Sequence, residues 1–496
     1  MLRGGSALNQ QGGELLSTQA PQVGSILPDG AQVDLHAVGS VDKSGGYGYN
    51  STVAEKRLLE VLPTNGHASS TLSYTLEPNM TPGLMYDFKN SFVELHFTGT
   101  LSGADAGEHN APYPLFGLMC FDTVRAYCQG IEISHVQSGI APWQAWHKAL
   151  ISERGYDSTA ISDNDVSQSD PVHLNLSNEL IEWGSMVIQS SINPSGNTAA
   201  IRGYLDLVNR VFIVKVPLRL LNPIFETPYY HPSGLRYRFD LHKAINDFSF
   251  MVRNSPSNKD FDLTLDSASF WVEQVQLSAA GQQMYQSLVS KVGGMLTYPC
   301  SHVETNQYAI ASGSSSIKQT ILGKAPQCMI ISFHPSDHLL YSTNAGTDNY
   351  PFSCRNSGGT IAPVRLQSLY VRINGQRVYD WDIVRSTTAP NTQGGSSMRE
   401  FDQYKTLAKK NGVDSEKTFF RLHNMTDGNF LVTFINCQGN QEQFEGRKPP
   451  HIPTGTIEII AQLQSATVTE NTMVVTSISN SAYFVEPASG RVKTGW

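Results

Sequence analysis

Two histidines four residues apart, His334 and His338, would offer a zinc ion two imidazoles from one face of a helix. Pro335 lies between them and denies that segment a helical face, so the pair is not read as a ligand set. His135, His147 and His173 are neighbours in sequence but lack ligand spacing. The stretch Asp163-Asn164-Asp165-Val166-Ser167-Gln168-Ser169-Asp170 places hard oxygen ligands at alternate positions, as a calcium loop does. Such a loop needs Gly sixth and Glu twelfth; Gln168 and Leu174 stand there, and the stretch reads as a solvated loop. Cys120, Cys128, Cys300, Cys328, Cys354 and Cys437 include no C-x-x-C pair, so they read as reduced and mostly buried thiols. Tyr229-Tyr230-His231-Pro232 has rings that could stack on a sugar or a base; packing or a subunit contact is the stronger reading. Gly45, Gly46 and Gly48 sit in a Gly-rich arm and not between a strand and a helix, which argues against a phosphate cradle. No H-E-x-x-H, G-x-S-x-G or G-x-x-x-x-G-K-[ST] occurs. Carboxylates paired in space for glycoside hydrolysis leave no mark in sequence, and nothing singles out a pair. The expectation is a protein that is not an enzyme, with no catalytic, cofactor-binding or metal-binding residue and no cofactor.

The elements that would position such residues are β strands. Charged residues are 16% of the chain, against about 25% in an average soluble protein. A surface poor in charge suits β structure, and also a surface covered by neighbouring subunits. The net charge of -8 argues against wrapping nucleic acid, and no sequence-specific nucleic-acid binding is expected. No run of 18 apolar residues marks a membrane span, and no secretory signal is visible. The sequons beginning at Asn50, Asn79, Asn175 and Asn424 are accordingly read as chance.

Period-2 patterning begins near residue 68, in Thr71–Leu76 and Ser91–Phe97, and continues through Thr123–Tyr127 and Gly130–Ile133. A helix follows, with Pro142 in its first turn and a stripe of Trp143, Trp146, Ala149 and Leu150. Val211–Val216, Leu235–Leu241, Leu263–Leu265 and Ala268–Val275 close this half as strands. A short helix over 279–290, with Met284, Leu288 and Val289 facing inward, links it to the next. Met295–Tyr298, Val303–Ala309 and the continuous apolar run Cys328–Phe333 then read as strands. Asn374-Gly375 between alternating runs predicts a hairpin. A second helix carries the stripe Met398, Phe401, Tyr404, Leu407 and Ala408, stopped by Asn411-Gly412. Phe430–Ile435, Thr456–Ile460, Thr472–Ser477 and Ala482–Glu486 are the closing strands. Each half thus runs strands, hairpin, one helix, strands. Phe270-Trp271-Val272-Glu273 even echoes Tyr483-Phe484-Val485-Glu486.

That order resembles the double jelly-roll major capsid proteins of double-stranded DNA viruses and Polinton-type elements, including virophages and adintoviruses. Pro114–Gly117, Val124–Tyr127, Gly130–Ser134 and the helix Ala141–Arg154 carry the resemblance in the first half, with Pro217–Leu221 and Leu235–Phe250. Val371–Gln376 and the helix Met398–Lys410 carry it in the second, over roughly residues 65–487 altogether. The resemblance implies an all-β fold of two tandem eight-stranded jelly rolls, each with a short inserted helix. It implies an arm over 1–50, a first roll over 51–278, a linker helix over 279–294, a second roll over 295–487 and a tail over 488–496. It also implies a homotrimer forming pseudo-hexagonal capsomers that tile an icosahedral shell around a double-stranded DNA genome. Its partners would be neighbouring capsomers and penton and minor capsid proteins, in a virion assembled inside a host cell. The rival reading is a carbohydrate-active or glycan-binding two-domain β-sandwich. Residues 1–50 show little periodicity yet hold apolar anchors at Ile26-Leu27 and Val33–Val38, as expected of an arm used in assembly.

Overall fold

The computed structural model describes residues 53–101, 111–112, 120–134, 141–151, 211–227, 229–244, 252–253, 261–324, 326–335, 366–384, 394–410, 432–437, 454–463, 467 and 470–494. Besides the two-residue strands Ala111–Pro112, His231–Pro232 and Val252–Arg253, eight strands wind the first half: β1 (Val53–Val61), β2 (Thr71–Leu76), β3 (Leu84–Leu101), β4 (Phe121–Cys128), β5 (Ile131–Ser134), β6 (Val211–Pro217), β7 (Tyr237–Lys243) and β8 (Phe261–Leu277). They pair into two antiparallel sheets, β1-β8-β3-β6 and β2-β7-β4-β5. Strand alternation supplies the core between them. In β2, Leu72, Tyr74 and Leu76 are buried while their neighbours are half-exposed. In β7, Tyr237, Phe239 and Leu241 do the same.

After α1 (Ala141–Leu150), α2 (Leu218–Leu221) and α3 (Ala279–Lys291) come eight more strands. These are β9 (Leu296–Ile310), β10 (Ser316–Lys324), β11 (Cys328–Pro335), β12 (Leu366–Ile373), β13 (Gln376–Arg377), β14 (Val432–Asn436), β15 (Thr454–Leu463) and β16 (Asn471–Glu486), with α4 (Gly394–Lys410) between β13 and β14. Their sheets are β9-β16-β11-β14 and β10-β15-β12-β13. Adding eight to each strand number of the first half reproduces the second half's order in both sheets. Chain neighbours repeatedly sit in opposite sheets, which is jelly-roll winding. The fold is therefore two tandem eight-stranded jelly rolls. α1 and α4 hold the same place in the two windings, between the sixth-numbered strand of each roll and the one before it.

The hairpins before those helices match as well. Gln129-Gly130 and Asn374-Gly375 both take left-handed backbone, with φ of 52° and 79°, and of 50° and 80°. Two successive positive angles are the type I′ turn that suits twisted strands. The expected Asn374-Gly375 hairpin is present, with Ile373 opposite Gln376.

Several boundaries and faces differ from the sequence reading. Strand β1 precedes residue 68, and β10 was not anticipated. Both are edge strands whose apolar residues do not alternate cleanly, as in Val-Ala-Glu-Lys-Arg-Leu-Leu-Glu-Val. The fragments at 295–298 and 303–309 are one strand, as are 472–477 and 482–486. Arg491–Thr494, within the stretch taken as a tail, forms β17 against β16. In α3, Met284 is exposed, and Tyr285 with Leu288 and Val289 packs against the core instead. Met398 of α4 is also exposed; Tyr404, Leu407 and Ala408 form its buried stripe with Glu400. The acidic loop at 163–170, His135, His173, His338, Cys354 and residues 1–50 lie outside the described residues.

Candidate functional surface: the seam between the rolls

α1 was expected to be amphipathic, but it is buried on every side that is described. Trp143, Gln144, Ala145, Trp146, His147, Lys148 and Leu150 are all inaccessible. One side of the helix lies in its own roll; the other seats on the β9-β16-β11 sheet of the second. His147 is the polar anchor. Its Nδ1 lies 2.6 Å from Thr476 Oγ1 and its Nε2 2.9 Å from Ser332 Oγ. The relay extends outward, with Thr305 Oγ1 2.9 Å from Thr476 Oγ1 and His334 Nε2 2.8 Å from Ser332 Oγ. The Trp143 ring packs on His334 at 4.6 Å and meets Trp146 edge-on at 6.0 Å. This explains why Cys328–Phe333 is buried throughout and apolar but for Ser332: β11 is covered on both faces, by its own core and by the first roll.

The segment after β6 is the second half of the seam. Asn222 fixes it: its side chain caps the turn at Pro223–Glu226, accepting from Ile224 N at 3.0 Å. The same amide donates to Val124 O at 2.7 Å and Ser134 Oγ at 2.8 Å. Beyond that turn, Thr227 Oγ1 donates to Pro299 O at 3.0 Å, and Ser301 Oγ donates to Glu226 Oε2 at 2.9 Å. Glu226 also pairs with Lys148, whose Nζ donates to Arg219 O at 3.2 Å. Tyr298 Oη donates to Tyr230 O at 3.2 Å. A file of rings then crosses from one core to the other. Phe88 lies 4.4 Å from His231, His231 stacks on Tyr298 at 4.4 Å, and Tyr298 stacks on Tyr483 at 5.1 Å. His231 Nε2 is hydrogen-bonded to the Tyr483 hydroxyl. Tyr229-Tyr230-His231-Pro232 is thus a packing segment, as the stronger reading held.

The ionisable rings at the seam are buried. Burial, helped by the neighbouring His334, holds His147 well below the usual imidazole value. Burial brings His231 down to about 3. The tyrosine hydroxyls of Tyr237, Tyr298 and Tyr483 are pushed up by burial. The described cysteines are reduced thiols; burial raises Cys120 and takes Cys128 and Cys300 up to about 12. Among the described residues no group of three His, Cys, Asp or Glu side chains could hold a metal ion. No helix among them is long and apolar enough to cross a membrane.

The first roll has a sheet face in the same position as the one α1 covers, and among the described residues this face is open. Trp271 sits opposite Glu60 and Phe92, and Leu58 sits opposite Glu273. Phe92 and Trp271 stack at 6.3 Å with planes 21° apart. Leu58 is 53% exposed. Glu60 accepts from Ser269 at 2.7 Å, Glu273 pairs with Lys56 at 3.3 Å, and Glu94 lies 2.8 Å from His96.

Two wound rolls on one chain, joined by a filled seam, define a double jelly-roll protein. A chain of the Sputnik virophage solved by cryo-EM has this fold. It aligns with a TM-score of 0.51 at 10% identity, over 90% of this chain and 90% of that one. The mavirus major capsid protein aligns with a TM-score of 0.47 at 9% identity, over 92% of this chain and 94% of its own. The Faustovirus major capsid protein gives 0.47 at 10% identity, over 88% and 91%. No family model and no curated protein matches the sequence.

Proposed function

We propose that the chain is a viral major capsid protein. Three copies join into a pseudo-hexagonal capsomer, and capsomers tile an icosahedral shell around a double-stranded DNA genome. The observation that carries this reading is the pairing of a filled sheet face in the second roll with an open one in the first. The joint within the chain is heterologous: α1 and residues 226–232 of one roll meet a sheet face of the other. A heterologous joint between like units leaves one unused copy of each partner surface at the two ends, and repetition closes a ring when the rotation per joint is one sixth of a turn. Two rolls per chain and three chains give six corners. Phe92, Trp271 and Leu58 then have a use as surface a neighbour covers.

In this reading the protein is not an enzyme. Its partners are its own copies, adjoining capsomers and penton and minor capsid proteins, in a virion assembled inside the host cell. Residues 1–50 are the assembly arm, the first roll ends near residue 278, and the second runs past 487 to include β17. The carbohydrate-active alternative has less to stand on, because the His231 ring is spent on the seam, Tyr229 is buried and the Tyr230 ring lies against Lys56. The test is the mass of the purified chain by light scattering, with electron microscopy of the particles. A mass three times 54.4 kDa and pseudo-hexagonal outlines support the reading. A monomer at micromolar concentration that releases sugar from glycans sinks it.

A further inference from the structure

The described residues include three buried histidines, His147, His231 and His334, and all three lie on the seam. They come from three separate segments, α1, the strand pair at His231–Pro232 and β11. His147 and His231 each hydrogen-bond across to the other roll. No structural requirement of a jelly roll calls for histidine at these places; an apolar residue would fill the same volume without a buried polar group to satisfy.

The geometry makes the neutral form specific. A neutral imidazole has one N–H to give and one ring nitrogen that accepts. His147 stands between two hydroxyls, so in the neutral ring one nitrogen donates and the other accepts. Adding a proton makes both nitrogens donors, and the hydroxyl that had been donating must turn away. Neither hydroxyl is free to do so alone, since Thr476 is engaged with Thr305 and Ser332 with His334. His147 and His334 reach the same Ser332 oxygen through their Nε2 atoms, so two charged rings would confront each other with a single oxygen between them. At the other end of the seam, the faces of Phe88 and Tyr298 would favour a cation at His231, but enclosure of the ring opposes it more strongly.

We propose that the seam is an acid-sensitive latch: protons taken up at His147 and His231 unseat α1 and residues 226–232 from the second roll, while each roll keeps its own sheets. What faces His147 is His334 and Ser332 from β11, Thr476 from β16, Thr305 from β9 and, from its own helix, Trp143, Trp146 and Lys148, with Lys148 paired to Glu226. What faces His231 is Tyr483 from β16, Tyr298 from β9, Phe88 from β3 and Tyr237 from β7. An imidazole held below its ordinary value binds its proton more readily once the seam is open. The closed seam is therefore at full strength above about pH 6.5 and weakens as pH falls below that. Each such histidine contributes about a tenfold change in the open-to-closed ratio per pH unit.

The experiment is hydrogen–deuterium exchange of the full chain at pH 7.5 and pH 5.0, corrected for intrinsic exchange rates and resolved by segment. The latch predicts that α1 and the paired strands β11 and β16 lose protection by tenfold or more at pH 5.0, while β2, β4 and β7 keep theirs. Unchanged protection in α1 overturns it, and so does simultaneous loss in every strand, which is general acid unfolding. A second arm uses His147→Gln, which keeps hydrogen-bonding capacity and cannot titrate in this range. Its α1 protection should change about tenfold less per pH unit than wild type. An identical pH slope in the variant overturns the assignment to His147. The wild-type arm stands even if the variant does not fold.

Discussion

The Tyr404 hydroxyl donates to the Leu150 carbonyl at 3.0 Å, so the helix inserted in the second roll holds the last turn of the helix inserted in the first. The final carbonyls of any helix lack partners within it, and here one is satisfied from 254 residues away. Tyr404→Phe keeps the ring on Phe434 and removes only this bond. The expected loss is about 1–3 kcal/mol, because a buried carbonyl is left with less than its due. Urea unfolding checks it, as a lower midpoint with an unchanged slope.

Trp146 is fully enclosed between the rolls. Trp146→Ala should cost about 3–5 kcal/mol through lost burial and the cavity left behind. A melting curve indistinguishable from wild type would contradict the packing of α1.

The open face of the first roll makes a contrasting prediction. Leu58→Asp and Trp271→Ala remove apolar surface that the lone chain leaves partly in water. Leu58→Asp should change the stability of the single chain by no more than about 1 kcal/mol. Association should nonetheless fail, read as a monomer by light scattering. Trimers of normal mass in both variants would place the joint elsewhere.

Burial raises the thiols of Cys120, Cys128 and Cys300, the latter two to about 12. At pH 8 the thiolate is a minute fraction of each. Iodoacetamide should leave all three unmodified in the native chain over an hour and modify them fully in guanidinium, as peptide mass spectrometry will report.

Deleting residues 2–50 tests the assembly arm. The truncated chain should keep both rolls, seen as unchanged far-UV circular dichroism and cooperative melting, while capsomer or shell formation suffers. Failure to fold would assign the arm to a core, and undiminished assembly would remove its proposed role.

Much of the fold was legible because buried strands announce themselves. Thr71–Leu76 alternates, Cys328–Phe333 is apolar but for Ser332, and Asn374-Gly375 is a tight turn. β1 and β10 were not legible, because edge strands carry the polar residues that deter aggregation and so lose their period. The seam was hidden for a different reason. His147, Ser332 and Thr476 are ordinary residues at ordinary spacing, and only the winding of the chain over a separation of 329 residues brings the first and last together. The stripe on α1 gave half its story: Trp143 and Trp146 marked a buried helix, but not that a second roll would cover its remaining side.

That separation also sets a schedule. Thr476 leaves the ribosome 329 residues after His147, which at 5–20 residues per second is roughly 15–65 s. Once Leu277 has followed, the first roll is complete in sequence, yet until Thr476 arrives the Trp143 side of α1 lacks the middle strand of the sheet it lies on. A nascent chain must therefore carry an apolar helix face through much of its own synthesis, and any helper that shields it has to let go when β16 arrives.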